Sequence, residues 1–293
     1  MSAVSVQNGL SKDLWRIIRA DLKGAMLRPS IRIAVLFWIL QIVVFAYGIP
    51  YVLYRSSIDG IGPETAEALR ASLELPVLGE YVTASVPFYG IPVGVAVGAI
   101  LICSDYESKT LGVLLARIPK RWWLGVSRLI AIAVVCLIMA LSSFIAAAIC
   151  STIFTVIRGS DFEFHFGGTL LALGATTLGL FSYAVLGALF GYLTRSTLGA
   201  VMLGLGWTFG VETLCIGILS GSSDVFKFLH GFTLTGNIGS LPSALDKTAV
   251  LSMQPLLGVN TLHSGLVAVV IIACWLLACA FLGISLLCRR DVA

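Results

Sequence analysis

Six long apolar runs constrain the fold of this chain more than any other feature of its sequence. About 20 uncharged apolar residues in a helix, at about 1.5 Å per residue, cross a hydrocarbon core about 30 Å thick. Six runs meet this length, at about residues 33–54, 81–103, 129–157, 168–193, 198–219 and 261–287. With 58% hydrophobic and only 12% charged residues, we predict an all-α membrane protein with six transmembrane helices and a single transmembrane domain over residues 1–293.

The distribution of basic residues predicts the orientation. Most of the 19 lysines and arginines lie before the first run, between the second and third, or at the C-terminus, whereas the other loops are mainly acidic. Cytoplasmic loops retain lysine and arginine. We therefore expect a multi-pass protein of the cell membrane with both termini in the cytoplasm. The net charge of +4 reflects this topology, so no nucleic-acid partner is inferred.

The segment before the first run has apolar residues at helical spacing, with basic residues off that stripe. The apolar positions are Leu14, Ile18, Leu22 and Ala25 or Met26. This pattern predicts an amphipathic interfacial helix over residues 11–28, lying on the inner leaflet of the lipid bilayer. The alternative is a cytoplasmic extension of the first transmembrane helix.

The loop after the second run has acidic residues first and basic residues last. Leu111, Leu114, Leu115 and Ile118 form an apolar stripe at helical spacing, and Pro119 ends the pattern. We predict a short helix over about residues 105–118. From its spacing, this helix either packs on its own bundle or docks a partner.

The run Asp105-Tyr106-Glu107-Ser108-Lys109-Thr110, followed by this apolar helix and Pro119, resembles the permeases of ATP-binding cassette (ABC) transporters of the ABC-2 type. The basic helix before span one, the six spans and the long outer segment before span six extend the resemblance over most of the chain. One departure is Lys109, where members of the family often carry glycine, and it leaves the start of the helix open.

The resemblance implies a permease dimer, homomeric or heteromeric, driven by two cytoplasmic ABC ATPase subunits and exporting hydrophobic or amphipathic compounds. It makes the loop helix the coupling helix, with its contacts to the ATPase at Glu107, Leu111, Leu114, Arg117 and Ile118. Replacing Leu114 with Asp should then uncouple or dissociate the ATPase. Because the sequence has no G-x-x-x-x-G-K-[ST] phosphate loop, ATP and Mg²⁺ are expected in the partner chain and no cofactor in this one.

Glycines recur four residues apart in three runs. They are Gly90, Gly94 and Gly98, then Gly187 and Gly191, then Gly206 and Gly210. Such spacing lets helix backbones approach closely in lipid, either within one subunit or across a dimer. Pro92 is expected to kink the second helix, and a hinge there would be its functional interpretation.

The outer segment over residues 220–260 is rich in glycine and serine but keeps apolar clusters. One such cluster contains Val225, Phe226, Phe228 and Leu229. We therefore expect part of this segment to dip into the outer leaflet.

Glu212 is the one acidic residue inside an apolar run. A carboxylate at that depth is costly, so it should face protein or water, with Thr208 one turn away on the same face. It either makes a structural hydrogen bond or contacts an amphipathic substrate. If its charge serves transport, Glu212→Gln should lose transport yet keep expression. Glu212, Thr208 and Pro92 are the predicted substrate-pathway residues.

Two other classes of function compete with a permease. An intramembrane hydrolase would need a nucleophile and a base at membrane depth, and Glu212 alone does not supply them. A channel or structural subunit without ATP coupling is the other alternative. The three histidines and seven cysteines form no spaced ligand set, so no metal site or disulfide framework is predicted.

Overall fold

A computed structural model describes residues 3–57, 69–70, 73–117, 121–158, 166–245 and 258–289. The regular structure of these residues is helical, and no strand occurs among them. Six helices are long and apolar enough to cross a membrane, which confirms the predicted all-α membrane protein. These spans one to six are Pro29–Arg55, Leu75–Glu107, Arg121–Ile157, Phe166–Thr194, Thr197–Ile218 and Gly265–Arg289.

The predicted start of span six was wrong by four residues. The helix begins at Gly265 instead of Thr261, because the preceding residues form a polar turn. The side-chain oxygen of Asn260 accepts a hydrogen bond from the Leu262 backbone N–H at 3.2 Å. Such a turn competes with helix formation at this point.

A separate helix, Ala3–Leu27, precedes span one. Arg28 has an extended backbone and Pro29 begins the next helix, so this N-terminal helix is not a continuous extension of span one. Its residues Ile18 and Ala25 are buried against the bundle, whereas Trp15 is 63% exposed. Its location at a membrane surface stays a prediction.

Spans two and four form the closest helix pair in the bundle. A Cβ atom on Gly98 would lie 1.8 Å from the Ala184 carbonyl oxygen, and one on Gly187 would lie 2.2 Å from the Val95 carbonyl oxygen. These distances leave no room for any side chain. The glycines of spans two and four therefore pack within one chain.

Gly206 and Gly210 of span five have a different environment. A Cβ atom on either would meet no described atom within 4 Å, whereas one on Gly204 of the same span would lie 2.4 Å from the Val95 side chain. Met202 and Ile218, on either side of these glycines along the span, are 63% and 66% exposed. Span five therefore presents an open, glycine-containing face to its surroundings.

Three spans contain π-helical segments. They are Ile42–Gly48 in span one, Val86–Gly90 in span two and Gly206–Ile218 in span five. Pro92 lies just after the second, in the first turn of the α-helix Ile91–Glu107. A proline cannot donate to the carbonyl four residues earlier, and wider π turns often occur where the regular ladder is broken. The helix type therefore changes beside Pro92, while a hinge there stays a prediction.

We predict that Gly98→Ala destabilises the protein by about 1 to 3 kcal/mol, the usual range for overpacking, because the new methyl group collides with the backbone of span four. Gly174→Ala on span four is the matched control, because a Cβ atom there meets nothing within 4 Å. Thermal unfolding of both variants in detergent checks this. Equal melting temperatures for the two variants would contradict it.

Candidate functional site

The helix of span two ends in a tight reversal that sets the position of the loop helix. The Thr110 N–H donates to the Asp105 carbonyl at 3.1 Å, and the Lys109 N–H donates to the Tyr106 carbonyl at 3.1 Å. Lys109 has a φ of 54°. These are the two bonds and the left-handed residue of a Schellman motif, in which glycine is usual. Lys109 thus occupies the position where the resemblance led us to expect glycine.

The loop helix begins at Leu111 and reaches Arg117. The predicted start at residue 105 was wrong, because residues Asp105 to Glu107 still belong to span two and the left-handed residue Lys109 separates the two helices. The loop helix therefore has seven described residues. The side chain of Arg117 and all of Ile118 lie outside the described residues.

The loop helix has one face on the bundle and one face open. Leu111 is 4% exposed, Leu114 is half-buried and Val113 is 59% exposed. Leu111 thus belongs to the core of its own chain, and Val113 is an apolar side chain that stays exposed. The side chain of Leu115 lies outside the described residues. The coupling role of this helix stays a prediction.

Glu107 connects the loop to span five. Its Oε1 accepts a hydrogen bond from the Thr197 backbone N–H at 2.8 Å, at the first turn of that span. The Ser196 side chain accepts from the Gly199 N–H in the same turn. A carboxylate at a helix N-terminus satisfies otherwise unpaired N–H groups, so Glu107 ties the end of span two to the start of span five.

A buried ionic network lies beside this loop. Asp105 and Arg128 are each 6% exposed and are paired through the Asp105 Oδ2. The other carboxylate oxygen accepts from Arg28 at 3.0 Å, and Asp21 lies 3.4 Å from Arg128. The network thus joins the N-terminal helix to spans one, two and three.

Sequence reasoning did not predict this network. It assigned Asp105 to a loop helix and treated Arg28 and Arg128 as orientation signals. The available clue was that Asp105 and Arg128 each adjoin the end of an apolar run, where an acid and a base from neighbouring helices can meet. Burial raises the pKa of Asp21, although Arg128 beside it acts in the opposite direction.

Glu212 lies at the opposite end of the bundle and is 2% exposed. Its Oε1 accepts from Trp207 Nε1 at 2.9 Å and from the Leu234 N–H at 3.4 Å. Its Oε2 accepts from the N–H of Thr235 at 2.8 Å and from its hydroxyl at 2.7 Å. Thr208 is fully buried on the same face. Both residues face protein, and each oxygen of Glu212 accepts two hydrogen bonds from it. Whether Glu212 also contacts a substrate stays a prediction.

Three of the four donors to Glu212 belong to an inserted segment at residues 234–245, formed by the helices Leu234–Gly239 and Leu241–Leu245. The fourth donor, Trp207, lies in span five. This segment is almost wholly buried and packs against spans two, four, five and six. The Asn260 amide donates to the Gly236 carbonyl at 2.9 Å. The apolar cluster that contains Val225 and Phe228 is not buried in this way. Both side chains lie in the helix Asp224–His230 and are about two-thirds exposed.

Four aromatic rings connect the three π segments. Phe45 stacks on Tyr89 with ring centroids 5.0 Å apart, and Phe88 meets Tyr89 at 5.2 Å and Phe209 at 5.4 Å. None of the four is buried. We call Phe45, Tyr89, Phe88 and Phe209 the aromatic wall. It spans helices one, two and five, and sequence reasoning missed it because these rings are far apart along the chain.

No protein-family model matches the chain, and no curated protein matches it significantly. Within the described residues, no group of three or more His, Cys, Asp or Glu side chains could hold a metal ion. The functional interpretation therefore depends on the geometry above.

We predict that Glu212→Gln destabilises the inserted segment, because one acceptor oxygen becomes an NH₂ group facing N–H donors. An unsatisfied buried polar group costs about 1 to 3 kcal/mol. The control is Thr213→Val, which removes only a hydrogen bond to the Thr208 carbonyl in the same helix. Thermal unfolding and protease cleavage within residues 231–245 check this. Normal stability of Glu212→Gln with loss of transport would support a substrate contact instead.

Proposed function

We propose that this chain is the membrane-spanning permease subunit of an ABC transporter of the ABC-2 type, which exports hydrophobic or amphipathic compounds with ATP hydrolysed by a separate subunit. The observation that carries this proposal is the loop helix Leu111–Arg117. It is anchored at Leu111, exposes Val113 and lies between two spans on the side rich in basic residues.

The surroundings of the loop helix suit a coupling role. Its first turn follows the Schellman motif that ends span two, and Glu107 in that motif is bonded to the start of span five. Asp105 in the same motif is paired with arginines of the regions beginning spans one and three. A displacement of the loop helix would therefore act directly on spans one, two, three and five.

The proposed location is the cell membrane, with both termini in the cytoplasm. The loop helix, the ionic network and the N-terminal helix all lie at the basic end of the bundle, and basic residues stay on the cytoplasmic side. A cytoplasmic ATPase would then meet the exposed face of the loop helix, while the inserted segment with Glu212 would lie toward the outer side.

The proposed transport surface is the aromatic wall. Its rings are partly exposed and lie in π segments, which often occur at functional sites. Aromatic faces bind apolar and cationic groups, which suits a hydrophobic or amphipathic cargo. Glu212 already accepts four hydrogen bonds from the protein, so we assign it to holding the inserted segment instead of binding cargo.

We predict that Val113→Asp lowers the vanadate-sensitive ATPase activity that co-purifies with the tagged chain from native membranes by about tenfold. That corresponds to about 1.4 kcal/mol at an interface anchor. Val225→Asp is the matched control, since Val225 is about as exposed, at 65%, but lies in the outer segment. If no ATP hydrolysis co-purifies with the unaltered chain, the proposed function is wrong.

The second subunit is expected to pack on the open face of span five. Replacing both Gly206 and Gly210 with Leu should prevent close helix approach and convert the purified dimer to single chains. Gly174→Leu on span four is the control, because that glycine is equally open. Light scattering in detergent measures the mass. A dimer that persists in the double variant would exclude this face.

A further inference from the structure

An apolar cavity lies between spans one and three. Its lining residues Val43 and Tyr47 flank Phe45 of the aromatic wall along span one, but none of the four rings of the wall lines the cavity. Its volume is about 300 Å³, and it is open on one side. The lining residues are Val43, Tyr47, Gly48, Tyr51, Leu73, Cys150, Ile153, Phe154 and Ile157. Except for Leu73, which lies just before span two, they come from the second halves of spans one and three, at the end of the bundle toward the acidic loops.

The walls of this cavity are firmly held, and its mouth faces outward. Ser151 donates a hydrogen bond to the Tyr47 hydroxyl at 3.2 Å, and Tyr51 packs edge-on against Phe154 with centroids 6.2 Å apart. Leu73 is 1% exposed, whereas Ile157 is 70% exposed. The opening is therefore on the lateral surface of the spans, where lipid surrounds a membrane protein.

A cationic group stands at one end of the cavity. Arg55 is exposed, and its Nη1 donates to the Tyr51 hydroxyl at 3.4 Å. No carboxylate of a described residue pairs with it. Val43, at the deep end, lies about 18 Å from Arg55 along the helix at about 1.5 Å per residue. That distance is close to the thickness of one leaflet, about half of a 30 Å core.

We propose that this cavity binds one phospholipid of the outer leaflet, with an acyl chain between spans one and three and the phosphate on Arg55. A void lined by apolar side chains stays dry and accepts apolar ligands. A guanidinium group recognises phosphate oxygens through paired N–H donors. The site shares no residue with the proposed transport surface. Its assignment to the outer leaflet rests on the proposed orientation, whereas lipid binding itself does not depend on ATP-driven transport.

The two parts of the site contribute differently. An acyl chain gains little hydrophobic free energy by leaving the bilayer, because both environments are apolar. It does fill a void whose lining would otherwise lack contact partners. Selectivity therefore resides in the phosphate contact, and retention resides in the cavity.

The test is native mass spectrometry of the chain released from nanodiscs containing equal parts of phosphatidylglycerol and a diacylglycerol with the same chains. We expect one phosphatidylglycerol retained per chain. Cys150→Phe, which fills the cavity, should lower that retention about tenfold, the effect of losing about 1.4 kcal/mol of binding. The matched control is Ile149→Phe, because Ile149 is the neighbouring residue, 56% exposed and outside the lining.

The charge is tested separately with Arg55→Gln, which should abolish the preference for phosphatidylglycerol over diacylglycerol, while Lys227→Gln in the outer segment should keep it.

If Cys150→Phe fails to elute as a folded protein, Ile157→Trp at the mouth takes its place. Equal lipid retention by the cavity-filling variant and its control would mean that the retained lipid is non-selective lipid around the protein and does not occupy the cavity. A change in oligomeric mass caused by Cys150→Phe would mean that a second copy covers the cavity. Either result would overturn the proposal.

Discussion

The backbone contact between spans two and four determines where the rest of the bundle can lie. Gly98 and Gly187 allow the two helices to approach until no side chain fits between them, and van der Waals packing of this kind is a main source of helix association in lipid. Farther along the same pair, the Thr83 and Thr176 hydroxyls are 3.1 Å apart and hydrogen-bonded. With this pair fixed, one end of span two carries the loop helix and the other end packs against the inserted segment.

Charged groups inside such a bundle must find partners within the protein, because lipid provides none. Asp105 and Arg128 meet this requirement at the basic end, and Glu212 meets it at the other end by accepting from Thr235 and Trp207. Breaking one partner of a buried ion pair leaves the other uncompensated, typically at a cost of about 3 to 5 kcal/mol. The first cluster holds the N-terminal helix against the spans, the second holds the inserted segment, and Asp105, Arg128 and Glu212 are all buried.

The spans could be predicted from the sequence because a run of about twenty apolar residues identifies a span without information about the rest of the fold. The features that were not predicted depend on polar groups that can bond either to nearby residues or to residues distant in the chain. The start of the loop helix depended on Lys109 adopting a left-handed conformation, which no periodicity reveals. The inserted segment was missed as a structural unit because its helices are too short for a span and rich in Gly, Ser and Thr. Its contact with Glu212 joins residues more than twenty positions apart, which a pattern in one sequence does not encode.

Span two has a mechanical asymmetry that bears on the proposed function. Span two is α-helical from Gly94 to Asp105 and packs tightly against span four there. A displacement of the loop helix would therefore move this part of span two as one rigid body. At Gly90 the helix becomes π-helical, a form that occurs mainly as short interruptions of α-helices and often at functional sites. This segment carries Phe88 and Tyr89. The first place where span two can change its conformation is therefore the aromatic wall itself, which would let a movement at the loop helix rearrange the surface that cargo contacts without disturbing the glycine-packed centre.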